Sequence, residues 1–582
     1  MTGNKPKPAG RAPRSSAGPA VQAKQPPPIA TPAWLSYALG FFAVFVCAFI
    51  VYSPSLEGQF VFDDLNMPFI DPNARSWPLR VWFGVRPLLM TTFWVNLHLS
   101  DGKSTFAYHA VNVVFHSIAG ILVFFVLRRI LEWTKTANRD LLAGFGCAIF
   151  LLHPIQTEAV SYIAQRGEDM GACLYLGAYC LFIYRKPGAV SWVRAFSIFA
   201  LFGAAVITKE HTVTLPALLL LTDYFFNPGF TFEGIKRNWR LYAPMVAGLF
   251  MAVGLAAYYL KGDKASVGFQ LPEFNGIQYL FTQFRVFFAY TALFLYPLWQ
   301  TIDYDFPVTK NLLDPGSLVA LAALLGLLYA AFRYRRRFPL ASFGFLTFGA
   351  LLLPTSSVLP IRDVIADRRL YLPMIGLLFI ALEFLRRWKP GRTALIATFS
   401  CVSLLMAAGT YQRNEKWKNA VSLWADAVEK NPDKARVQFG LAATEFMAKQ
   451  CHESIPHYEK AIELTKKPDY QLEMNLGLAE QCDNHPQEAV AALRRSIAIQ
   501  PSAQAWSSLG LVEANQGHLD AALDALKQAE AVKPNYVMTF IYRGGILQAA
   551  GRIPEATAQF QHALDLEPGN EVAKGALAQI RH

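Results

Sequence analysis

The stretch Ser502–Pro534, SAQAWSSLGLVEANQGHLDAALDALKQAEAVKP, decides how the C-terminal part of the chain is built. It holds a glycine, Gly510, in its first half, small residues Ala522 and Ala529 in its second, and a closing proline, Pro534. The same marks recur on either side. The small residue appears at Ala420, Ser454, Ala489, Ala522 and Ala556, at spacings of 34, 35, 33 and 34. A second small position follows at Ala427, Ala461, Ser496, Ala529 and Ala563. Glycines fall at Gly440, Gly477, Gly510 and Gly544, and prolines close most units at Pro432, Pro468, Pro501, Pro534 and Pro568. Small residues let paired helices approach closely, and each proline stops a second helix.

This spacing is the tetratricopeptide period, so residues 412–582 are predicted to form a helical solenoid. Such a stack has a concave face suited to an extended peptide. A partner-binding array is the expectation, and the bland alternative is an array that touches only the rest of its own chain. Cys451 and Cys482 lie in this part and are free to pair if the compartment is oxidising. The other five cysteines lie in or beside apolar runs, and the seven together show no metal spacing.

The residues before 412 have a different character. The whole chain of 582 residues is 53% hydrophobic and 16% charged, with a mean hydropathy of +0.25, too apolar for an ordinary soluble protein. Residues 1–32 are rich in Pro, Ala, Lys and Arg and are predicted to be a disordered tail. Apolar runs follow near 34–53, 107–131, 141–152, 169–184, 191–207, 212–226, 241–260, 279–299, 315–332, 338–353, 370–385 and 393–409. The net charge of +12 does not point to nucleic acid, because the basic residues sit mostly in short loops between these runs, where they set topology. Arg128 and Arg129, Arg185 and Lys186, Lys236 and Arg237, Arg335 to Arg337, and Arg386 and Arg387 read as cytoplasmic. Alternation then requires that the run 279–299, with Arg285 at its middle and Pro297 near its end, be re-entrant or interfacial. About eleven crossings result. The fold class is therefore all-α: a polytopic membrane domain over 33–411, then the solenoid, on the side opposite the N-terminus. That side is the periplasm in a bacterium or the lumen in a eukaryotic endoplasmic reticulum.

Candidate chemistry lies on that external side. The loop 54–105 opens with "GQFVFDDLNMPFIDPN", which brings Asp63 and Asp64 close to the end of the first apolar run. Adjacent carboxylates there suit general-base work or cation binding, against a default reading as a solvated pair. Arg86 follows in the same loop. "LLHPIQTEAVSYIAQRGEDM" brings His153, Glu158, Arg166 and Asp169, "ITKEHTV" brings Lys209, Glu210 and His211, and "IADRRLYLPMIG" brings Asp367, Arg368 and Arg369. A charge at mid-membrane costs about 2.5–3.5 kcal/mol on insertion scales. Any one segment reads equally as a snorkelling or topology-setting charge. Together, with both signs on one side, they predict a polar cavity for an anionic ligand beside a carboxylate. A sugar linked to a lipid phosphate fits that description.

These motifs resemble the transmembrane and tetratricopeptide repeat-containing O-mannosyltransferases of the GT-C superfamily and their bacterial relatives. The residues carrying the resemblance are Asp63-Asp64, "RPL" at Arg86, "YHAVNVVFH" at 108–116, "HPIQTEAV" from His153, "TKEH" from Thr208, "DRRLYLP" from Asp367, and the repeats. The resemblance implies transfer of a monosaccharide from a polyprenyl- or dolichyl-phosphate donor to Ser or Thr of a protein, by an inverting single displacement. It implies Asp63 or Asp64 as base, and Lys209, Arg368, Arg369 and Arg86 as candidates for the donor phosphate. His109, His153, Glu158, Arg166 and Glu210 would shape the cavity. The short array favours a bacterial relative in the inner membrane with an undecaprenyl-type lipid, and "AQRGED" departs from the family's glycine-arginine-acid pattern. Neither a cofactor nor a metal ligand set is indicated; a divalent metal would be the one addition. The expected partners are membrane lipid, the donor and a protein acceptor, with no nucleic acid. Two alternatives stand beside this reading: a non-catalytic membrane scaffold, and an oligosaccharyltransferase using a lipid pyrophosphate. A transporter is disfavoured, since the membrane half shows no internal repeat.

Overall fold

The computed structural model describes residues 2–3, 33–84, 86–100, 104–248, 267–269, 271–311, 313–388 and 391–581. Most of the expected tail, and much of the run 241–260 with the loop after it, lie outside these. The chain divides into two units, Met1–Ala43 and Val44–His582. The first contributes the start of helix α1 (Ala33–Tyr52), and everything below concerns the second. Among the described residues there is no strand, only an isolated bridge between Val267 and Ile361.

The longer helices of the membrane half are α2 (Pro87–Leu99), α3 (Phe106–Trp133), α4 (Arg139–Leu152), α5 (Arg166–Ile183), α6 (Trp192–Thr208), α7 (Leu215–Phe226), α8 (Gly276–Leu295), α9 (Pro315–Arg333), α10 (Pro339–Leu352), α11 (Met374–Trp388) and α12 (Arg392–Lys416). Among the described residues four stretches, Trp34–Ser55, Phe106–Trp133, Pro315–Arg333 and Arg392–Lys416, are long and apolar enough to cross a membrane. A fifth is a bent pair, Arg139–Leu152 and Pro154–Ser161, turned by 50°. The bend falls at Pro154, which has no N–H to continue the helical ladder. Other apolar runs form helices such as Trp192–Thr208 and Pro339–Leu352 that are too short to cross by themselves, so helix length alone does not give the crossing count. The run expected to be re-entrant or interfacial is the uninterrupted 20-residue helix α8. Nothing inside it breaks the ladder, and Pro297 falls beyond its end, so the chain does not turn back within the helix. Arg285 turns to the loop that follows, donating to the Pro307 carbonyl at 3.1 Å.

Two polar assemblies form at separate places. One gathers the segments read as cytoplasmic. Asp223, fully buried, accepts from Arg185 at 2.8 Å, from Asn238 at 2.6 Å and from the Tyr242 hydroxyl at 2.7 Å. Nearby, Arg387 donates to the Arg337 carbonyl and Arg336 lies over the Phe230 ring. The other gathers the segments read as external, described below. Between them lies the main apolar core, built from α3, α4, α5, α7, α10 and α11 among others.

The solenoid follows as α13 (Ala420–Lys430), α14 (Ala435–Met447), α15 (Cys451–Leu464), α16 (Tyr470–Cys482), α17 (Pro486–Ile499), α18 (Ala503–Asn515), α19 (Leu519–Val532), α20 (Val537–Ala549), α21 (Ile553–Leu566) and α22 (Glu571–Arg581). The repeats predicted from the 34-residue spacing are present. The small second-helix residues Ser454, Ala489, Ala522 and Ala556 are fully buried, as their role requires. Cys451 and Cys482 form a disulfide that ties α15 to α16, with Cα atoms 5.8 Å apart. No linker separates the two halves. Helix α12 is 25 residues long and runs through the boundary expected at 411, with Arg413 and Asn414 already buried against neighbours. Arg413 pairs with Asp426 of α13, and Asn414 donates to the Val51 carbonyl at 3.1 Å.

Candidate active site

Asp63 and Asp64 sit together on a short 3-10 turn, Phe62–Asn66, yet they face opposite ways. Asp64 is 1% exposed and fully engaged. Its carboxylate accepts the Val61 N–H at 3.0 Å and the Ala164 N–H at 2.7 Å. Burial pushes its carboxyl up to about 7, against the pull of those two N–H groups. Asp63 is exposed, and its backbone N–H donates to the Tyr162 hydroxyl at 2.8 Å. Asp64 thus pins the turn, and Asp63 is the exposed carboxylate, beside the Tyr162 hydroxyl. The approach to the turn is tight: a side chain at Gly58 would meet the Trp417 carbonyl at 2.6 Å. His109 closes this corner, its Nε2 at 3.2 Å from the Gly58 carbonyl.

The segment after Ser161 is the hub. Tyr162 and Ala164 hold the Asp63-Asp64 turn. Gln165, the next residue, accepts from Lys209 Nζ at 3.2 Å. Glu168, one turn on and buried, pairs with Lys209 at 2.9 Å and lies 3.5 Å from His211. The charge of Arg368 also reaches Glu168. Lys209 stands just after α6, and "KEH" therefore folds back on the segment that positions the aspartates. Burial pushes His211 below its ordinary value, with Glu168 pulling the other way.

The other predicted residues divide by surroundings. Arg86 makes a two-pronged pair with Glu210, both contacts at 2.9 Å. Burial works to raise Glu210, and Arg86 more than offsets it, so the carboxyl sits below its ordinary value. Arg368 pairs with Glu158, which also accepts the Arg368 backbone N–H at 3.0 Å, and Arg368 lies 3.8 Å from Asp363. Arg369 is turned to backbone, donating to the carbonyls of Val364 at 3.2 Å and Asp363 at 2.6 Å. Arg166 is 0% exposed and bound to neutral partners: Asn112 at 2.8 Å, Thr92 at 3.2 Å and the Tyr108 carbonyl at 3.0 Å, over the Phe93 ring. His153 accepts the Ile155 N–H at 3.1 Å, stacks on Phe294, and has its Nε2 at 2.9 Å from the Phe294 carbonyl. Arg166, Arg369 and His153 are thus engaged by backbone groups and neutral side chains that hold the scaffold together. Asp367 is also buried, accepting from Tyr304 and Gln300, and burial with the Glu158 charge raises it to about 7.

The site therefore brings an exposed carboxylate, Asp63, onto the same scaffold as Lys209, Arg368 and Arg86, each cation oriented by a carboxylate. Sequence reading named the cations and missed Tyr162, Gln165 and Glu168. Their signal lay in "YIAQRGED", where the polar pairs Gln165-Arg166 and Glu168-Asp169 interrupt an otherwise apolar stretch. Among the described residues no group of three or more His, Cys, Asp or Glu is placed to hold a metal ion.

A helical membrane protein with a tetratricopeptide array joined to a charged polar site is the class this fold defines. The Tetratricopeptide repeat family matches residues 405–470 and 474–537, the first match beginning inside α12. The chain is similar to "Protein O-mannosyl-transferase F38B6.6" of Caenorhabditis elegans, 26% identical over 67% of this chain and 58% of that protein. It is similar to "Protein O-mannosyl-transferase TMTC1" of Homo sapiens, 27% identical over 71% of this chain and 54% of that one. A third, "Protein O-mannosyl-transferase TMTC4" of Homo sapiens, is 26% identical over 72% of this chain and 64% of its own length. These relatives bear out the resemblance read from the motifs. The chain spans between about half and two thirds of their lengths. All three are animal proteins, and the expected bacterial origin draws no support from them.

Proposed function

We propose that this protein transfers a monosaccharide, mannose first among candidates, from a polyprenyl-phosphate donor to a Ser or Thr hydroxyl of a protein. The observation that carries the reading is the exposure of Asp63 on a turn locked by Tyr162 and Asp64, beside the segment that positions Lys209. Asp63 takes the hydroxyl proton. The hydroxyl oxygen bonds to the anomeric carbon, and the bond to the phosphate oxygen breaks with its electron pair leaving on polyprenyl phosphate. A single displacement inverts the anomeric carbon. Lys209, Arg368 and Arg86 retain N–H groups beyond those engaged by Glu168, Glu158 and Glu210, and these stabilise the charge that grows on the phosphate. Arg369 and Arg166, held by backbone and neutral side chains, serve the scaffold.

The reaction is assigned to the extracytoplasmic face, in a polytopic arrangement of about eleven crossings. A disulfide persists in oxidising compartments and is rare in the cytosol. The array that carries Cys451–Cys482 packs directly on the turn of Asp63, so both share one side of the membrane. The second reading, a membrane scaffold, draws on the carboxylate partner that each named cation already has.

The test is transfer itself. Protein in nanodiscs is offered polyprenyl-phosphate sugars with a panel of Ser/Thr peptides, and the product is read by mass spectrometry and anomeric configuration. A hexose on Ser or Thr with inverted configuration is expected. Retained configuration would exclude the single displacement, and no product from any donor with folded protein would turn the reading to the scaffold.

A further inference from the structure

The start of the array, helices α13 and α14, touches both halves of the proposed site. On one side, Phe62 stands immediately before Asp63 and has a left-handed backbone, φ +51°. A bulky residue adopts that conformation only when its surroundings hold it there, and such positions gather at functional sites. The holding contacts are two rings set edge-on: Tyr162 at 5.6 Å and, from α13 of the first repeat, Trp424 at 5.4 Å. The same turn is tied a second time, because the Gln59 N–H donates to the Lys418 carbonyl at 3.2 Å and the Gln59 side chain accepts the Ala420 N–H at 3.4 Å.

On the other side, Arg436 of α14 donates to Asp363 at 2.7 Å, and Asp363 lies 3.8 Å from Arg368. Arg436 and Lys434 also clasp Asp303, which is 5% exposed. Lys430 reaches the Gln300 carbonyl, and Gln300 in turn donates to Asp367. Two separate chains of contact therefore leave adjacent helices at the start of the array, α13 closing one unit at Pro432 and α14 opening the next. One ends on the residue before the open aspartate, the other on the arginine paired with Glu158.

We infer that the two helices that open the array, α13 and α14, are a working part of the active site, with Trp424 a positioning residue for Asp63 acting through Phe62, and Arg436 a positioning residue for Arg368 acting through Asp363. The inference rests on the proposed reading of Asp63 and Arg368. Its consequence is that occupancy of the array and geometry at the reacting groups are linked, since both depend on the same helices. An acceptor that shifts α13 or α14 shifts the base and the phosphate arginine with it.

Hydrogen exchange on the full chain in nanodiscs tests the linkage without needing turnover. In Trp424→Ala the amides of 62–64 are expected to exchange at least ~10-fold faster while those of 503–549 keep their rates, because buried contacts set local opening. Trp424→Phe keeps an edge-on ring and should restore slow exchange. In Arg436→Ala the change should appear at 363–369 instead. With a mannosyl-phosphoryl polyprenol donor, Trp424→Ala should lower kcat and leave the donor KM, whereas Arg436→Ala should raise the donor KM. Unchanged exchange at both places in folded variants would overturn the inference. Raised exchange together with full activity in Asp63→Asn would leave the linkage standing and overturn the catalytic reading instead.

Discussion

Asp63 and Asp64 share a turn and differ in every property that matters for chemistry. The buried member meets two N–H donors, and an amide in its place could satisfy only one of them. Asp64→Asn is therefore expected to destabilise the protein by about 1–3 kcal/mol, the usual cost of leaving a buried polar group unsatisfied. Asp63→Asn should leave the melting temperature alone. The sign of the pH effect follows from the raised Asp64 carboxyl, about 7 against an ordinary value of 3.8. Folding takes up a proton there, so the contribution is complete below about pH 4 and is lost as pH rises through about 7. Wild type should lose more thermal stability between pH 5 and pH 8 than Asp64→Asn does; equal losses would show that Asp64 is ionised in the fold at both values. The dipeptide was legible in the sequence, and the difference between its members was not. What separates them is the Ala164 amide, 100 residues away.

Among the elements, the solenoid was the most legible, because its signal is repeated and local. Small residues, glycines and prolines carry the helix pairing within each unit of about 34 residues. Gly510 shows why the pattern is strict: a methyl group there would lie 2.9 Å from Leu526 Cγ and 3.0 Å from the Ala522 carbonyl. Gly510→Ala should cost about 1–3 kcal/mol, as overpacking does, and raise exchange in α18 and α19. The disulfide was open in the sequence because pairing depends on compartment and on the distance between α15 and α16, neither of which spacing gives. Its cysteines are separated by 31 positions. Removing it with Cys482→Ser should lower the stability of the array by about 2–4 kcal/mol. An unchanged denaturation midpoint with intact folding would show that the bridge does not constrain the unfolded chain. The unbroken helix α12 was hidden for another reason. Composition changes at 412, but helical backbone does not, and a shift from apolar to polar residues marks where the bilayer ends rather than where the helix does.

At the scale of the whole molecule, charge in the loops foretold which segments meet. Basic segments read as cytoplasmic meet around Asp223 and the Arg337 carbonyl, and charged segments read as external meet through the pairs Lys209–Glu168, Arg86–Glu210 and Arg368–Glu158. The partners themselves were not legible. Arg368 and Glu158 are 210 positions apart and Arg86 and Glu210 are 124 apart, so the sequence offers the charges without the pairing. The tryptophan of the first repeat gave no signal at all, since a ring in a helix looks like core. The two-ended arrangement predicts a labelling pattern. A membrane-impermeant maleimide added from the extracytoplasmic side should modify Leu65→Cys and leave Arg336→Cys untouched until the membrane is opened; the reverse pattern would invert the topology.

The proposed transfer depends most directly on its base. Transfer from a polyprenyl-phosphate mannose to a Ser/Thr peptide is to be measured for wild type, Asp63→Asn and Asp64→Asn, with donor binding checked in each. Loss of turnover in Asp63→Asn by about 10²–10⁴-fold, the usual contribution of a positioned base, with donor binding kept and with turnover surviving in folded Asp64→Asn, is the result expected. Wild-type turnover in Asp63→Asn would contradict it and move the active site to another loop.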